Sequence, residues 1–349
     1  MSASTLPRQP TAWARSHRRG WAARLLLLTL ALGTGLGVFA APAQADSMNV
    51  YVGAYAMTVQ ELDQQNNSFY ADFYLWFRWT PSQTDPEADP AATMEFTNNL
   101  ERWGLTQTPV YEQPKKLSNG QLTQQFHVQG KFFSALDLSA YPLDSHRLHI
   151  EMEDTSLTKA ALQYLPDTRD SALDAGLKIP GWAITGHAME VADHTYETSF
   201  GERTGSKDTY SRASFVIDIQ RPRSFFVWKL MLPLLIVVLI ALSILVVHPS
   251  MIEVRLGAPA TALLALVFLQ QAYTSTLPET GNLVLLDKIY VLSYGLIVAL
   301  MFVTILTSHW VRDGESVATE RAIRLDRAAE ILLLAVFVCG VAVLIAANA

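Results

Sequence analysis

Four long apolar segments fill the last third of the chain, and they constrain its fold more than any other feature. A helix needs about 20 predominantly apolar residues to cross the hydrocarbon core of a bilayer. The four segments that satisfy this length are 225–247, 254–276, 285–310 and 328–347. They predict a membrane protein in which residues 223–349 form a four-helix transmembrane bundle, surrounded by membrane lipid.

A further apolar run near the N-terminus has a different character. Several arginines precede the run at 25–39, and the small residues of 43–45 follow it. This order is typical of a secretory signal, so residues 1–45 are predicted to be a signal peptide cleaved after Ala45, with an uncleaved anchor as the alternative. The protein is then expected in the cell (inner) membrane, crossing it several times, with the next domain extracellular or periplasmic.

Residues 46–222 have the pattern of an all-β domain. The segment 72–79 is rich in aromatic residues, and Phe215, Ile217 and Ile219 alternate with more polar neighbours. Short alternating segments separated by turn signals are typical of a sandwich, here predicted to be immunoglobulin-like. The only cysteine in the sequence, Cys339, lies in an apolar segment, so the sandwich is expected to fold without a disulfide.

The charge of the β domain limits its partners. Residues 46–222 contain 24 acidic and 13 basic residues, a net charge of −11. Such a surface disfavours nucleic acid and raises the local concentration of cations, although plain solubility explains it as well. The sequence also lacks a nucleophile elbow, a Walker loop, a paired-glycine fingerprint and zinc-type spacing. We therefore expect no enzyme activity, no cofactor and no metal site.

The second span carries a stripe that is not uniformly apolar. Its members recur at steps of three and four residues, which keeps them on one helix face. The stripe consists of Gly257, Thr261, Leu264, Phe268, Gln271 and Ser275, and Glu253 extends it by one turn. Because lipid disfavours such polar groups, the stripe indicates a surface that avoids lipid, and a pore lining is one of two equal interpretations of it. The alternative is a closed bundle in which Thr and Gln form interhelical contacts.

Several local motifs accompany this architecture in a characteristic order. They are the loop Tyr141-Pro142-Leu143-Asp144, Arg221 before the first span, Leu277-Pro278 after the second, and Asp287 at the head of the third. With these motifs, the chain resembles the pentameric ligand-gated ion channels of the Cys-loop receptor superfamily over about 48–347. Ser134 and Leu148 stand where animal members have cysteines, which points to the bacterial branch. The run 273–275 is similar to amine-gated bacterial members.

The resemblance implies a homopentamer whose second helices line a conduit for monovalent cations. Arg255 lies 23 positions before Pro278, where family members begin that helix with a basic residue. In this register Leu264 forms the gate, with Phe268 as an adjacent apolar ring, and Glu253 forms the selectivity ring. Arg255 is the rival of Glu253, since an arginine facing the lumen would favour anions.

The resemblance also implies a small-molecule ligand, bound between subunits under the hairpin at 192–211. The corresponding residues are Tyr196, Tyr210, Glu153 and Thr155. Aromatic faces attract ammonium groups, which favours an amine. Thr155, however, stands where the amine-gated relatives have an aromatic residue.

Coupling between the β domain and the spans is implied for a third set of residues. The set comprises Asp144, Pro142, Arg221, Pro278, Gly281 and Asp287. Gly281 takes the place of a proline that many members carry. Two alternatives to ligand gating are a channel gated by protons and a membrane-anchored ligand sensor that conducts no ions.

Overall fold

A β-sandwich followed by four long helices forms the protein, in agreement with the fold predicted from the sequence. The computed structural model describes residues 47–81, 88–201, 207–279, 281–311 and 316–348. The predicted signal peptide lies outside these ranges.

The sandwich consists of two sheets built from the described strands. These are β1 Met48–Asp63, β2 Ser68–Trp79, β3 Met94–Phe96, β4 Thr106–Pro109, β5 Lys115–Lys116, β6 Leu122–Phe133, β7 Ser145–Asp154, β8 Leu162–Pro166, β9 Ala172–Leu173, β10 Ala183–Thr195 and β11 Thr209–Gln220. The larger sheet has the order β4-β6-β2-β1-β8, with β5 paired to β6 and β9 to β1. The smaller sheet has the order β10-β11-β7-β3.

Alternation of apolar and polar residues decides which side of each sheet is buried. In β2, alternate residues from Phe69 to Trp79 face the core and are fully buried. In β11, Phe215, Ile217 and Ile219 are buried, as their spacing predicts. Side chains alternate across a strand, so the intervening residues of β7 and β11 point outward. This outer surface of the smaller sheet carries the polar residues described below.

The four helices that follow have the length and composition of membrane spans. They are α1 Phe225–Val246, α2 Ile252–Thr274, α3 Leu285–Val311 and α4 Ser316–Asn348. Within α1, the first seven residues, Phe225–Met231, form a π-helical segment. Helix α2 continues through Pro259 without ending. Helix α4 begins well before the predicted span at 328, because a helix can continue beyond the apolar part of its sequence.

Direct hydrogen bonds join the sandwich to one end of the bundle. Gln65 Nε2 donates to the Ser275 carbonyl at 3.0 Å, after the end of α2. At the start of α3, the Leu285 and Leu286 amides donate to the carbonyls of Ser139 and Tyr141, at 3.1 and 3.2 Å. We call this end of the bundle the proximal end and the opposite end the distal end. Helix α2 therefore begins at the distal end and finishes beneath the sandwich.

Candidate functional site

The exposed side of α2 in the single chain includes the whole stripe that the sequence marks, together with apolar residues such as Val254 and Val267. The exposed residues of the stripe are Glu253, Gly257, Thr261, Leu264, Phe268, Gln271 and Ser275. Residues on the other side face α1 and α3 and are buried; they are Arg255, Pro259, Ala262, Leu266 and Tyr273. Because carboxylate, amide and hydroxyl groups are costly against lipid, this exposed side requires a polar neighbour or water.

Two large apolar side chains interrupt the polar groups of this face. Leu264 is 55% exposed and Phe268 is 67% exposed, one helical turn apart. On the side towards the distal end, the Thr261 hydroxyl donates to the Gly257 carbonyl at 2.9 Å. The face thus changes from a carboxylate at the distal end, through the apolar side chains of Leu264 and Phe268, to Gln271 and Ser275 at the proximal end.

Glu253 and Arg255 point to different sides of α2. Two residues correspond to a rotation of about 200° in a helix, so the two side chains cannot share one face. Glu253 is exposed, whereas Arg255 has no exposed surface and lies within hydrogen-bonding distance of α3 and α4. In the single chain, the carboxylate is therefore the charged group presented at the distal end of the stripe.

A buried ionic cluster occupies the junction between the sandwich and the bundle. Arg221 Nε and Nη2 donate to the two carboxylate oxygens of Asp144, at 2.7 and 3.1 Å. His146 Nε2 lies 2.7 Å from Asp144 Oδ2. Burial alone would raise the pKa of Asp144, but the bonds from His146 and Arg221 outweigh it and hold that pKa below its usual value.

Aromatic rings enclose the guanidinium of Arg221. Its central carbon lies 4.3 Å from the ring centroid of Trp182, 4.8 Å from that of Tyr141 and 5.3 Å from that of Phe225. These rings belong to the sandwich and to the start of α1, so Arg221 connects the two regions through both an ion pair and cation–π contacts.

The remaining predicted coupling residues surround the connection between α2 and α3. Pro142 follows Tyr141 in the loop whose carbonyls receive the first amides of α3. Asp287 Oδ2 accepts a bond from the Val284 amide at 3.1 Å, and its other oxygen accepts the Tyr273 hydroxyl. Pro278 is partly buried and Gly281 is exposed in the connection itself. The loop that contains Pro142 thus contacts the start of α3, where Asp287 lies, and Pro278 and Gly281 belong to the connection that precedes this helix.

A cavity of about 330 Å³ brings all four predicted ligand-binding residues together. Tyr196, Tyr210, Glu153 and Thr155 line it, beside the hairpin between β10 and β11. Its other described lining residues are Glu95, Asp154, Ser199, Phe200 and Asp208. Four carboxylates and three aromatic rings, with no basic residue among those described, create an environment suited to a cation.

The carboxylate of Glu153 and the ring of Tyr196 make different kinds of contact inside the cavity. Glu153 is buried and accepts bonds from Arg212 Nε at 2.5 Å and from the Tyr196 hydroxyl at 2.9 Å. Its charge is therefore largely compensated within the chain. The Tyr196 ring, in turn, meets the rings of Phe200 and Tyr210 edge to face, with centroids 5.0 and 5.7 Å apart. Burial and the bond to Glu153 raise the pKa of Tyr196, so the phenol stays a hydrogen-bond donor.

Sequence reasoning missed several residues of these sites. Phe200 was not predicted as a cavity residue, because it follows polar hairpin residues. An aromatic residue beside Gly201 in such a hairpin was nevertheless a usable signal. Glu95 and Asp208 come from separate segments that only folding brings together. His146 is a similar case, since its role depends on the buried Asp144.

In the parts of the chain that the structure describes, no group of three or more His, Cys, Asp or Glu side chains is arranged to hold a metal ion. Comparison with models of known protein families gives no match, and comparison with curated proteins gives no significant match. The architecture itself, a two-sheet domain followed by four apolar helices, is compatible with the fold of the pentameric ligand-gated channels. The candidate sites therefore rest on their geometry.

Proposed function

We propose that this protein is the subunit of a ligand-gated, cation-selective channel in which α2 of each copy lines the conduit. The observation that carries this proposal is the segregation of side chains on α2. Its exposed side holds a carboxylate, an amide and hydroxyl groups, while its arginine is buried on the opposite side. A ring of copies around the exposed side would give these polar groups water and would cover Leu264 and Phe268.

The junction supplies a route by which a ligand in the sandwich could act on the bundle. The cavity lies at the outer surface of the smaller sheet, and β7 and β11 both extend from it towards the Asp144–Arg221 pair. Displacement of these strands is transmitted to the loop that contacts the first amides of α3. Rigid strands and a buried ion pair are suited to such transmission because neither deforms continuously.

Recording from purified protein in lipid bilayers tests the proposal directly. Short primary alkylamines and tetramethylammonium are applied at neutral pH, and the pH is lowered separately without amine. Current evoked by an amine supports the proposal. Current evoked by acid alone would favour the proton-gated alternative, and the absence of current under both stimuli would favour a non-conducting ligand sensor.

Glu253→Gln tests the selectivity assignment. Removing the carboxylate at the distal end is expected to lower the preference for cations, so the reversal potential in a KCl gradient should move towards that of chloride. Glu320→Gln provides a control, since Glu320 is an exposed carboxylate of α4 that pairs only with Arg324 in the described chain. An unchanged reversal potential in Glu253→Gln would remove Glu253 from the conduit.

Two substitutions of Tyr196 test the contributions of its ring and of its hydroxyl to ligand binding separately. Tyr196→Ala is expected to weaken tetramethylammonium binding by about 0.5–2 kcal/mol, because it removes a cation–π partner. Tyr196→Phe keeps the ring and should bind nearly as well. Binding is measured by isothermal titration calorimetry, and Tyr55→Ala and Tyr55→Phe serve as controls, because the Tyr55 hydroxyl also donates to a carboxylate, that of Asp174, on the other sheet. Equal losses for both Tyr196 variants would contradict the cation–π assignment.

A further inference from the structure

A buried ion pair fixes the distal part of α2 to α4. Arg255 Nη2 lies 2.8 Å from Asp326 Oδ2, and neither side chain has more than 1% of its surface exposed. Arg255 Nη1 also donates to the hydroxyls of Thr307 at 3.1 Å and Ser308 at 3.4 Å, both on α3. The guanidinium therefore sits among three helices, one turn from the distal end of α2.

The pair depends on charge more than on aligned hydrogen bonds. Both carboxylate oxygens of Asp326 are buried and accept no hydrogen bond from the described residues, and Arg255 Nε donates none. The hydroxyl of Thr307 donates its own proton to the Val303 carbonyl at 3.0 Å. Its oxygen therefore accepts from Arg255 but carries no charge to balance the guanidinium. A buried charge with few other partners is retained mainly by its counter-charge. Asp326 is thus the group that makes burial of Arg255 tolerable.

Among the described carboxylates, Asp326 is the one that pairs with Arg255. Glu330, one turn further along α4, is partly buried but forms no ion pair with the described residues. On α4, Arg324 pairs with Glu320 in solvent, and Arg327 is exposed. On α2, Glu253 is exposed on the other side of the helix. If Asp326 lost its charge, the arginine side chain would have to reach water, and the nearest water is at the distal end where Glu253 lies.

We propose that Asp326 is a positioning residue for ion selectivity: it holds Arg255 inside the bundle and leaves Glu253 as the charged group at the distal mouth. This inference rests on the proposed channel function. It predicts that the sign of the charge seen by permeating ions depends on a residue of α4 that itself never faces the conduit.

Asp326→Asn tests this inference with two independent measurements. In bilayers, the reversal potential in a KCl gradient should move towards the chloride equilibrium potential, and in Arg255→Gln/Asp326→Asn it should return to the wild-type value. In detergent, phenylglyoxal, which modifies accessible arginines, should leave Arg255 unmodified in the wild type and modify it in Asp326→Asn, as read by peptide mass spectrometry. Glu320→Gln is the matched control and should change neither measurement.

The labelling requires no current, so it separates this inference from the proposed function. A wild type that passes no current would overturn the channel, whereas an unreactive Arg255 in folded Asp326→Asn would overturn the positioning role. An unchanged reversal potential in a conducting Asp326→Asn would overturn it as well. If Asp326→Asn does not fold, phenylglyoxal labelling of Arg255 is measured in Thr307→Val/Ser308→Ala instead. Arg255 should stay protected there by Asp326, and its modification would assign the positioning to the hydroxyls instead.

Discussion

Replacing Asp144 by asparagine is expected to destabilise the junction by about 3–5 kcal/mol and to abolish the response to ligand. The exchange leaves the Arg221 guanidinium buried, without its carboxylate, between rings of the sandwich and of α1. Cation–π contacts of about 0.5–2 kcal/mol each cannot replace the lost charge and the hydrogen bond to the oxygen that becomes an amide NH2. Loss of folded protein on heating, followed by size-exclusion chromatography, measures the first effect, and amine-evoked current measures the second.

The reverse exchange, Arg221→Gln, should destabilise the junction less than Asp144→Asn. It leaves Asp144 with a hydrogen-bonding partner, since His146 Nε2 lies 2.7 Å from Asp144 Oδ2. Asp144→Asn instead leaves the Arg221 guanidinium buried without a counter-charge. Thermal unfolding of the two variants at the same pH measures the difference. An equal or larger loss of stability in Arg221→Gln would show that His146 does not compensate for Arg221.

In the wild type, the contribution of Asp144 should be constant from neutral pH to about pH 5. The pKa of Asp144 in the folded protein lies below its usual value. A carboxyl with a lowered pKa stabilises the fold above its unfolded pKa, and this stabilisation is lost only as the pH falls through the lower, folded value. Glu190→Gln is the control for this pH dependence of stability. Glu190 and its partner Arg147 are both about half exposed, so their ion pair should contribute little to the free energy of unfolding.

The parts of the fold that were predictable are those where burial alone decides. Four apolar runs and the alternation of Phe215, Ile217 and Ile219 led to the observed helices and to the inward side of β11. The stripe on α2 was also visible in the sequence, because helical periodicity specifies a face without specifying what covers it. These features are local, and local patterns can be read without knowledge of the neighbours.

The parts that could not be predicted depend on contacts between distant segments. The sequence favoured Glu253 over Arg255 as the residue facing the lumen but did not show what Arg255 contacts. Its partner Asp326 lies 71 positions later between Arg324 and Arg327, where it resembles part of a solvated link. One signal was available: Ala322, Asp326 and Ala329 have helical spacing, and all three are buried. The ligand cavity is similar, because Glu95 and Phe200 approach Tyr196 only through sheet pairing and the hairpin.

Replacing Leu264 by serine is expected to produce current without any ligand. In the proposed assembly, Leu264 and Phe268 form adjacent apolar rings, and a narrow apolar constriction excludes ions because water leaves it. A hydroxymethyl group in place of the isobutyl group widens the ring and lets water remain. Leu264 is 55% exposed, so the exchange should not create the large cavity that accompanies loss of a buried leucine. Spontaneous bilayer current, compared with the amine-evoked current of the wild type, measures the effect.

Leu239→Ser separates gating from a general effect of serine in a span. Leu239 is an exposed leucine of α1, 44% exposed, and it lies outside the stripe on α2. Because it is expected to face lipid in the assembly, its exchange should leave the channel closed at rest. Equal leak from both variants would point to a damaged bundle. A silent Leu264→Ser that still opens with amine would instead show that the constriction lies elsewhere along α2, with Phe268 the next residue to test by the same exchange.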